Sequence, residues 1–258
     1  MVSALPLSGQ VALISGGAGD IGRAIARELA ALGADIALGD IVADAPAEVA
    51  AIRASGRRCC YDRVDVGDAA AGAAWVAQCE RELGFATLVI PNAAVVSTAG
   101  VADITPTEWQ RQLRVNLDGA FFLAQAAVQR LLAARKPGRV VFIGSWAADH
   151  PHPTMPAYCA AKAGMRALMQ CLALEVAPAG ILVNEVAPGY VDAGLSGKIF
   201  ARDPAVKDAA TKRVPIRRLI AAEDVAFQVA HCCHPRNQHQ TGSVLTMDGG
   251  LSLLSTGG

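Results

Sequence analysis

The chain has no excess of either charge: Lys plus Arg (23) equals Asp plus Glu (23) among 258 residues. A nucleic-acid backbone is held by a basic surface, so the balance argues against nucleic acid as the main partner. A leader-like start is also missing. The first basic residue is Arg23, so no basic segment precedes an apolar run. Long apolar runs are absent too. The longest uncharged stretch, 84–102, is interrupted by Pro91, Asn92, Ser97, Thr98 and Gly100, which argues against a membrane span. No disulfide ladder is legible. Seven cysteines are an odd number, and Cys59-Cys60 and Cys232-Cys233 are adjacent, which fits reduced thiols in a cytoplasmic protein. His231-Cys232-Cys233-His234 is a candidate metal cluster, but adjacent helix positions diverge and no second cluster has ligand spacing. No metal is expected.

What is present is a large apolar fraction, 53% against 18% charged, enough for a sizeable core. Chains of this length often fold as one α/β unit, and no linker or repeat divides it, so one domain over 1–258 is expected. Short apolar runs alternate with amphipathic ones. Strands are read at 11–14, 36–40, 58–64, 87–90, 139–143, 181–186 and 244–247. Helices are read at 20–32, 45–55, 68–83 behind an Asp68 cap, 106–134, 155–176 and 222–231. Residues 189–222 read as an irregular substrate loop with short helical pieces. Strand–helix alternation with almost no hairpin signals predicts a doubly wound Rossmann-type sheet of about seven parallel strands, helices on both faces. Right-handed crossovers put every strand's carboxyl end on one edge, where ligands bind. Gly16, Asp40, Asp65, Asn92, Ser145 and Pro188 all fall just after strands, on that rim.

Two rim segments suggest a dinucleotide. Ser15-Gly16-Gly17-Ala18-Gly19-Asp20-Ile21-Gly22 joins the first strand to the first helix. Glycines there allow close backbone approach to a phosphate, and the helix N-terminus supplies partial positive charge. No Gly-Lys-Ser/Thr follows, so this is not a Walker loop. Asp40 ends the second strand eighteen residues after Gly22 and is followed by Ile41. A carboxylate there accepts hydrogen bonds from a ribose and repels a 2′-phosphate. NAD is therefore expected over NADP.

Tyr158 and Lys162 lie four positions apart on a helix, so they share a face. Tyrosine ordinarily ionises near pH ~10, and a neighbouring positive charge favours the phenolate. The pair is expected to move a proton to or from an alcohol oxygen.

These motifs, in this order, resemble the short-chain dehydrogenase/reductase family over nearly the whole chain. The glycine loop at 15–22 is similar to its Thr-Gly-x-x-x-Gly-Ile-Gly. Pro91-Asn92-Ala93-Ala94, Val115-Asn116-Leu117, Ile143-Gly144-Ser145, Tyr158-x-x-x-Lys162, Pro188-Gly189-Tyr190-Val191 and Asp248-Gly249-Gly250 match its further motifs. The resemblance implies a nicotinamide cofactor and a homotetramer. It implies catalytic roles for Asn116, Ser145, Tyr158 and Lys162. Tyr158 exchanges the proton, Lys162 lowers its pKa and holds the ribose, Ser145 orients the substrate oxygen, and Asn116 holds a water. Cofactor contacts are implied for the loop residues Ser15, Gly16, Gly19, Asp20, Ile21 and Gly22. Asp40, Ile41, Asp65, Val66, Asn92, Ala93, Pro188, Gly189 and Val191 join them along the rim, together with Tyr158 and Lys162. Two positions depart from the family's pattern. Asp20 replaces a glycine and reads as a helix cap. Ala193 stands where a threonine often binds the nicotinamide amide.

The reaction expected is hydride transfer between a secondary alcohol, or its ketone, and nicotinamide. Ser145, Trp146, His150, His152, Tyr158 and Tyr190, with Met155 nearby, are the candidate substrate contacts. Their aromatic and imidazole mix suits a sugar, polyol or related small alcohol. The alternatives are a 3-oxoacyl-carrier-protein reductase, a steroid-type alcohol dehydrogenase and a non-catalytic dinucleotide sensor. Leu174 opposes the first, because those reductases often carry an arginine there.

Overall fold

A computed structural model describes residues 5–254, so the outer ends of the expected 1–258 domain lie outside it. Strand β1 (Val11–Ser15) leads to α1 (Asp20–Ala31), β2 (Asp35–Asp40), α2 (Pro46–Ala54), β3 (Cys59–Arg63) and α3 (Ala69–Glu82). Then come β4 (Leu88–Ile90), α4 (Pro106–Leu113), α5 (Ala120–Ala133), β5 (Gly138–Ile143) and α6 (Pro156–Val176). The chain continues with β6 (Ile181–Pro188), α7 (Gly194–Arg202), α8 (Pro204–Arg213), α9 (Ala222–Cys233) and β7 (Val244–Met247). Seven strands pair in the order β3-β2-β1-β4-β5-β6-β7, every neighbour parallel. This is the expected doubly wound Rossmann-type sheet. Its order reverses between β1 and β4, which opens a crevice at their carboxyl ends.

Both faces are covered, and β1 shows why its sequence reads as a continuous apolar run. Leu13 and Val11 point to one side, where Trp75 of α3, Leu123 of α5 and Met165 of α6 pack. Ala12 and Ile14 point to the other, against Ile25 and Leu29 of α1 and Val225 and Val229 of α9. Strand side chains alternate, so a strand buried on both sides has no polar face. Each fully buried Leu or Ile contributes about 1.5–3 kcal/mol relative to exposure.

Local signals set the element ends. The Asp68 carboxylate accepts from the Ala70 and Ala71 N–H groups at 2.9 and 3.2 Å and starts α3 as expected. The helix expected over 106–134 is divided. A π-helical turn at Arg114–Gly119 separates α4 from α5, and Asn116 lies within it. The stretch 189–222 is more regular than its sequence suggests, because α7 and α8 occupy most of it. Asp203 separates them, its carboxylate accepting from Ala205 and Val206 N–H at 3.0 and 3.3 Å, with Pro204 next in the first turn. Among the described residues no helix is long and apolar enough to cross a membrane. Cys232 and Cys233 are buried in α9 as part of the core. Among the described residues no group of three or more His, Cys, Asp or Glu is placed to hold a metal ion.

Candidate active site

The carboxyl ends of the strands open into a cleft of about 980 Å³. It runs from the glycine loop, past the end of β5, to α7 and α8. A volume of this order is at the upper end of cofactor and ligand sites.

One end is built by the turn from β1 into α1. The N-cap of α1 is Gly19, which offers no side-chain acceptor to the first N–H groups of the helix. Asp20, Ile21 and Gly22 line the cleft with Gly19, so the first N–H groups of the helix are available to an anion there, while the Gly19 N–H itself donates to the Gly16 carbonyl at 3.2 Å. A Cβ on Gly22 would lie 2.2 Å from the Gly16 carbonyl oxygen, so only glycine lets α1 seat this close to the loop. The turn fits a pyrophosphate on these grounds. Asp20 does not cap the helix. Its carboxylate accepts from the Gly194 N–H at 2.8 Å and ties α1 to the start of α7.

Most of the expected cofactor residues line this cleft: Gly16, Asp40, Ile41, Asp65, Val66, Asn92, Ala93, Pro188, Gly189 and Val191. Ser15 does not. Its buried hydroxyl accepts from the Asn92 and Ala93 N–H groups at 3.0 and 3.1 Å, which fastens the loop after β4 to β1. Asp40 lies at the end of β2, but its oxygens already accept from the protein. The Ala18 N–H donates to one at 3.0 Å and the Ile41 N–H to the other at 2.7 Å.

The centre of the cleft is made where β5 ends and α6 begins. Ser145 follows β5 by two residues and is buried, its hydroxyl accepting from the Ala147 N–H at 3.1 Å. Tyr158 lies in the first turn of α6, half-buried, and Lys162 one turn later is buried. The three side chains line one wall of the cleft. Lys162 Nζ donates to the Ile143 carbonyl at 2.7 Å and lies 5.7 Å from the centre of the Tyr158 ring. Burial pushes the Tyr158 phenol up to about 12, against the opposing pull of the Ser145 hydroxyl. Burial also brings Lys162 down to about 8, with the Glu185 carboxylate acting the other way. The net shift of the Tyr158 phenol in the free chain is therefore upward. The Lys162 ammonium is directed at the Ile143 carbonyl rather than at the phenol oxygen. Asn116 lies away from the cleft wall. Its side chain accepts from Val95 N–H and donates to Val95 C=O, both at 2.8 Å, holding the loop after β4 against the π-helical turn.

A buried ion pair behind this wall was not anticipated. Arg166 continues the Tyr158–Lys162 face of α6 by one more turn. Its guanidinium grips Glu185 of β6 with two hydrogen bonds, Nε to Oε2 at 2.9 Å and Nη2 to Oε1 at 2.8 Å. It also donates to the Ser145 carbonyl at 3.1 Å and pairs with Asp149. Glu185 has no exposure, whereas the Asp149 side chain is 61% exposed, so the first pair matters far more. A Cβ on Gly144 would lie 1.8 Å from Glu185 Oε1, so glycine is what admits the carboxylate beneath Ser145. The four-residue spacing Tyr158, Lys162, Arg166 was a signal in the sequence; the acid on another element was not.

The far end holds the candidate substrate residues around Trp146. His152 and Tyr190 meet its ring edge-on at centroid distances of 4.9 and 5.4 Å, and both line the cleft, as do Trp146 and Met155. His150 does not reach the cleft. It stacks on Trp146 at 5.6 Å, which keeps it out of the lining. Burial, with Arg213 and His150 nearby, lowers the His152 pKa. The opposite wall comes from the expected substrate stretch, but as two helices rather than an irregular loop. Val206, Ala209, Ala210 and Arg213 of α8 line the cleft, as do Ile199 and Phe200 of α7. Their spacing of three and four along 206–213 marks one helix face. Ala193 lines the cleft at the position expected for a carboxamide contact.

Comparison with known proteins agrees with this geometry. Residues 16–252 match the family described as enoyl-(acyl carrier protein) reductase. A cis-4-hydroxycyclohexanecarboxylate dehydrogenase of Sinomonas cyclohexanicum is 32% identical over 246 residues, covering 95% of this chain and 97% of its own. An L-rhamnose 1-dehydrogenase (NAD(P)(+)) of Sphingomonas sp. (strain SKA58) is 31% identical over 247 residues, covering 95% and 97%. The crystal structure of a candidate 2-deoxy-d-gluconate 3-dehydrogenase from Agrobacterium tumefaciens superposes with a TM-score of 0.89 at 30% identity, covering 98% of this chain and 100% of that one. That structure holds NADP, which overturns the expectation that NAD is preferred. An Asp40 already engaged by Ala18 and Ile41 is a weaker basis for excluding a 2′-phosphate than a free carboxylate. The chain belongs to the short-chain dehydrogenase/reductase family, oxidoreductases that act through a dinucleotide cofactor on CH–OH groups.

Proposed function

We propose that Ser145, Tyr158 and Lys162 carry out the proton chemistry of a reversible secondary-alcohol oxidation, on a sugar, polyol or related small alcohol. The observation that carries this is their convergence on one cleft wall, beside a turn that fits a pyrophosphate. The nicotinamide ring, when bound, supplies or takes the hydride.

Tyr158 exchanges the proton with the substrate oxygen. With its phenol held near 12, it is a proton donor at neutral pH, suited to ketone reduction. It becomes an acceptor when further positive charge is brought beside it. Lys162, anchored on Ile143, holds the ribose side of the dinucleotide. Ser145 orients the substrate oxygen towards Tyr158. Asn116 acts through the loop it holds at Val95. The substrate class is supported by the Trp146 cluster and by relatives named for rhamnose and for a hydroxycyclohexane acid. A homotetramer belongs to the same reading, supported by exposed apolar side chains on α4 to α6, including Trp109, Phe122 and Leu174.

A carrier-thioester reductase is the second reading, favoured by the description of the matched family. A panel of sugars, polyols, cyclic alcohols and an acetoacetyl thioester, with NAD and NADP in both directions, separates the two. Tyr158→Phe is expected to retain dinucleotide binding by fluorescence titration and lose nearly all turnover. Full activity in that variant sinks the proposal.

A further inference from the structure

The cleft wall formed by α8 carries one cation with no acid partner among the described residues. α8 has three basic residues. Lys207 pairs with Asp192 and Lys212 with Asp208, both at 2.6 Å. Arg213 pairs with no carboxylate among the described residues, and it lines the cleft. It ends the face formed by Val206, Ala209 and Ala210, so the helix turns its guanidinium to the same side as the cleft wall. A cation at a helix C-terminus is favoured by the free carbonyls there.

The guanidinium does not stand alone. Its Nη1 lies 3.4 Å from the Tyr190 hydroxyl, and Tyr190 meets Trp146, which adjoins Ser145. Arg213 also contributes to the lowered His152 pKa, so the three groups share one region of the cleft. Most other charges of the lining are engaged. Asp65 pairs with Arg114, and Asp20 is held by Gly194. Lys198 also lines the cleft with no carboxylate partner among the described residues, but it is shared with the smaller cavity beside Asp20, towards the glycine loop. The lining that Arg213 and Ser145 share also includes the apolar Val95, Ile199, Phe200 and Val206.

We propose that Arg213, with the Tyr190 hydroxyl, binds a carboxylate on the substrate, so that the preferred substrates are hydroxy acids and the corresponding oxo acids. This rests on the alcohol-oxidation reading above and narrows it. The carboxylate is set off from the reacting carbon, with a ring or short chain between them over the Trp146 edge. A planar guanidinium offers two parallel donors that match a carboxylate, and a phenol can add a third. One guanidinium balances one negative charge, which favours a carboxylate over a doubly charged phosphate ester.

The test has two readouts. The first is kcat/KM for hydroxycyclohexanecarboxylate against its methyl ester, and for an aldonate against its alditol. Wild-type protein is expected to prefer each acid by about ten- to hundredfold, the range of a charge-assisted bidentate contact. Arg213→Gln is expected to bring that ratio close to one, and Arg213→Lys to restore part of it. The second readout is calorimetric binding of cyclohexanecarboxylate, which has no hydroxyl to react, against its methyl ester. Arg213→Gln is expected to weaken the acid at least tenfold. Equal binding of acid and ester by wild type, or an acid preference that survives Arg213→Gln, overturns the carboxylate assignment. Binding with the expected Arg213 dependence but no turnover supports this inference and sinks the alcohol-oxidation reading instead.

Discussion

Arg166→Met isolates the buried ion pair beneath Ser145. The substitution keeps much of the side-chain volume and removes the guanidinium. Glu185, with no exposure, then keeps its charge with no partner. Breaking a buried pair from one side costs about 3–5 kcal/mol, because the remaining charge is still desolvated. The Asp149 pair adds about 0–1 kcal/mol, since Asp149 is largely solvated. Losing the donor to the Ser145 carbonyl adds little, because the Ala148 N–H also donates there at 3.2 Å. The total is about 3–5 kcal/mol, a large part of the roughly 5–15 kcal/mol that holds a typical domain. Urea unfolding followed by tryptophan fluorescence, at fixed protein concentration, measures it. Glu185→Gln should cost less, because Arg166 keeps Asp149 and Ser145 and has some access to water. The double variant Arg166→Met, Glu185→Leu should regain most of the loss, as buried pairs replaced by apolar groups often do. A loss below about 1 kcal/mol, or a double variant as unstable as Arg166→Met, refutes the assignment of this pair as a strongly coupled buried charge pair.

Further outcomes follow from the same geometry. Lys162, at about 8 in the fold against roughly 10.4 unfolded, favours folding more as pH rises between those values. Tyr158, near 12 against roughly 10, removes stability over the higher window, so stability should rise from pH 8 and turn down above 10, and Lys162→Met should flatten the rise. Gly22→Val places side-chain atoms at the Gly16 carbonyl and should abolish dinucleotide binding measured by fluorescence titration; unaltered affinity would show that this turn is not the phosphate site. Of the seven thiols only Cys171 is exposed, while burial raises Cys60, Cys79, Cys232 and Cys233, so a thiol reagent should modify one group quickly in the native protein. Several fast-reacting groups would contradict this packing.

The alternation of apolar runs and amphipathic segments determined the parallel sheet, because strands buried on both faces carry no polar residues. Val11-Ala-Leu-Ile14 shows this within one strand. The spacing of Tyr158 and Lys162 determined that they share a helix face, and the glycine loop, through its missing side chains, suggested an anion site. These signals are local, within a few residues. Whatever joined distant segments was decided only by tertiary structure. The Asp20 contact with Gly194 spans 174 positions, and the Asn116 side chain holds Val95 across 21. The sequence suggested a charge effect of Lys162 on Tyr158, but an ammonium directed at Ile143 and burial of the phenol reverse the expected shift. Glu185 could not be matched to Arg166 without the packing of α6 against β6. Arg213 became a candidate substrate contact only when α8 formed one wall of the cleft and its neighbours' charges were paired. Helical and strand periods are written along the chain, whereas partners across the cleft depend on how the elements pack.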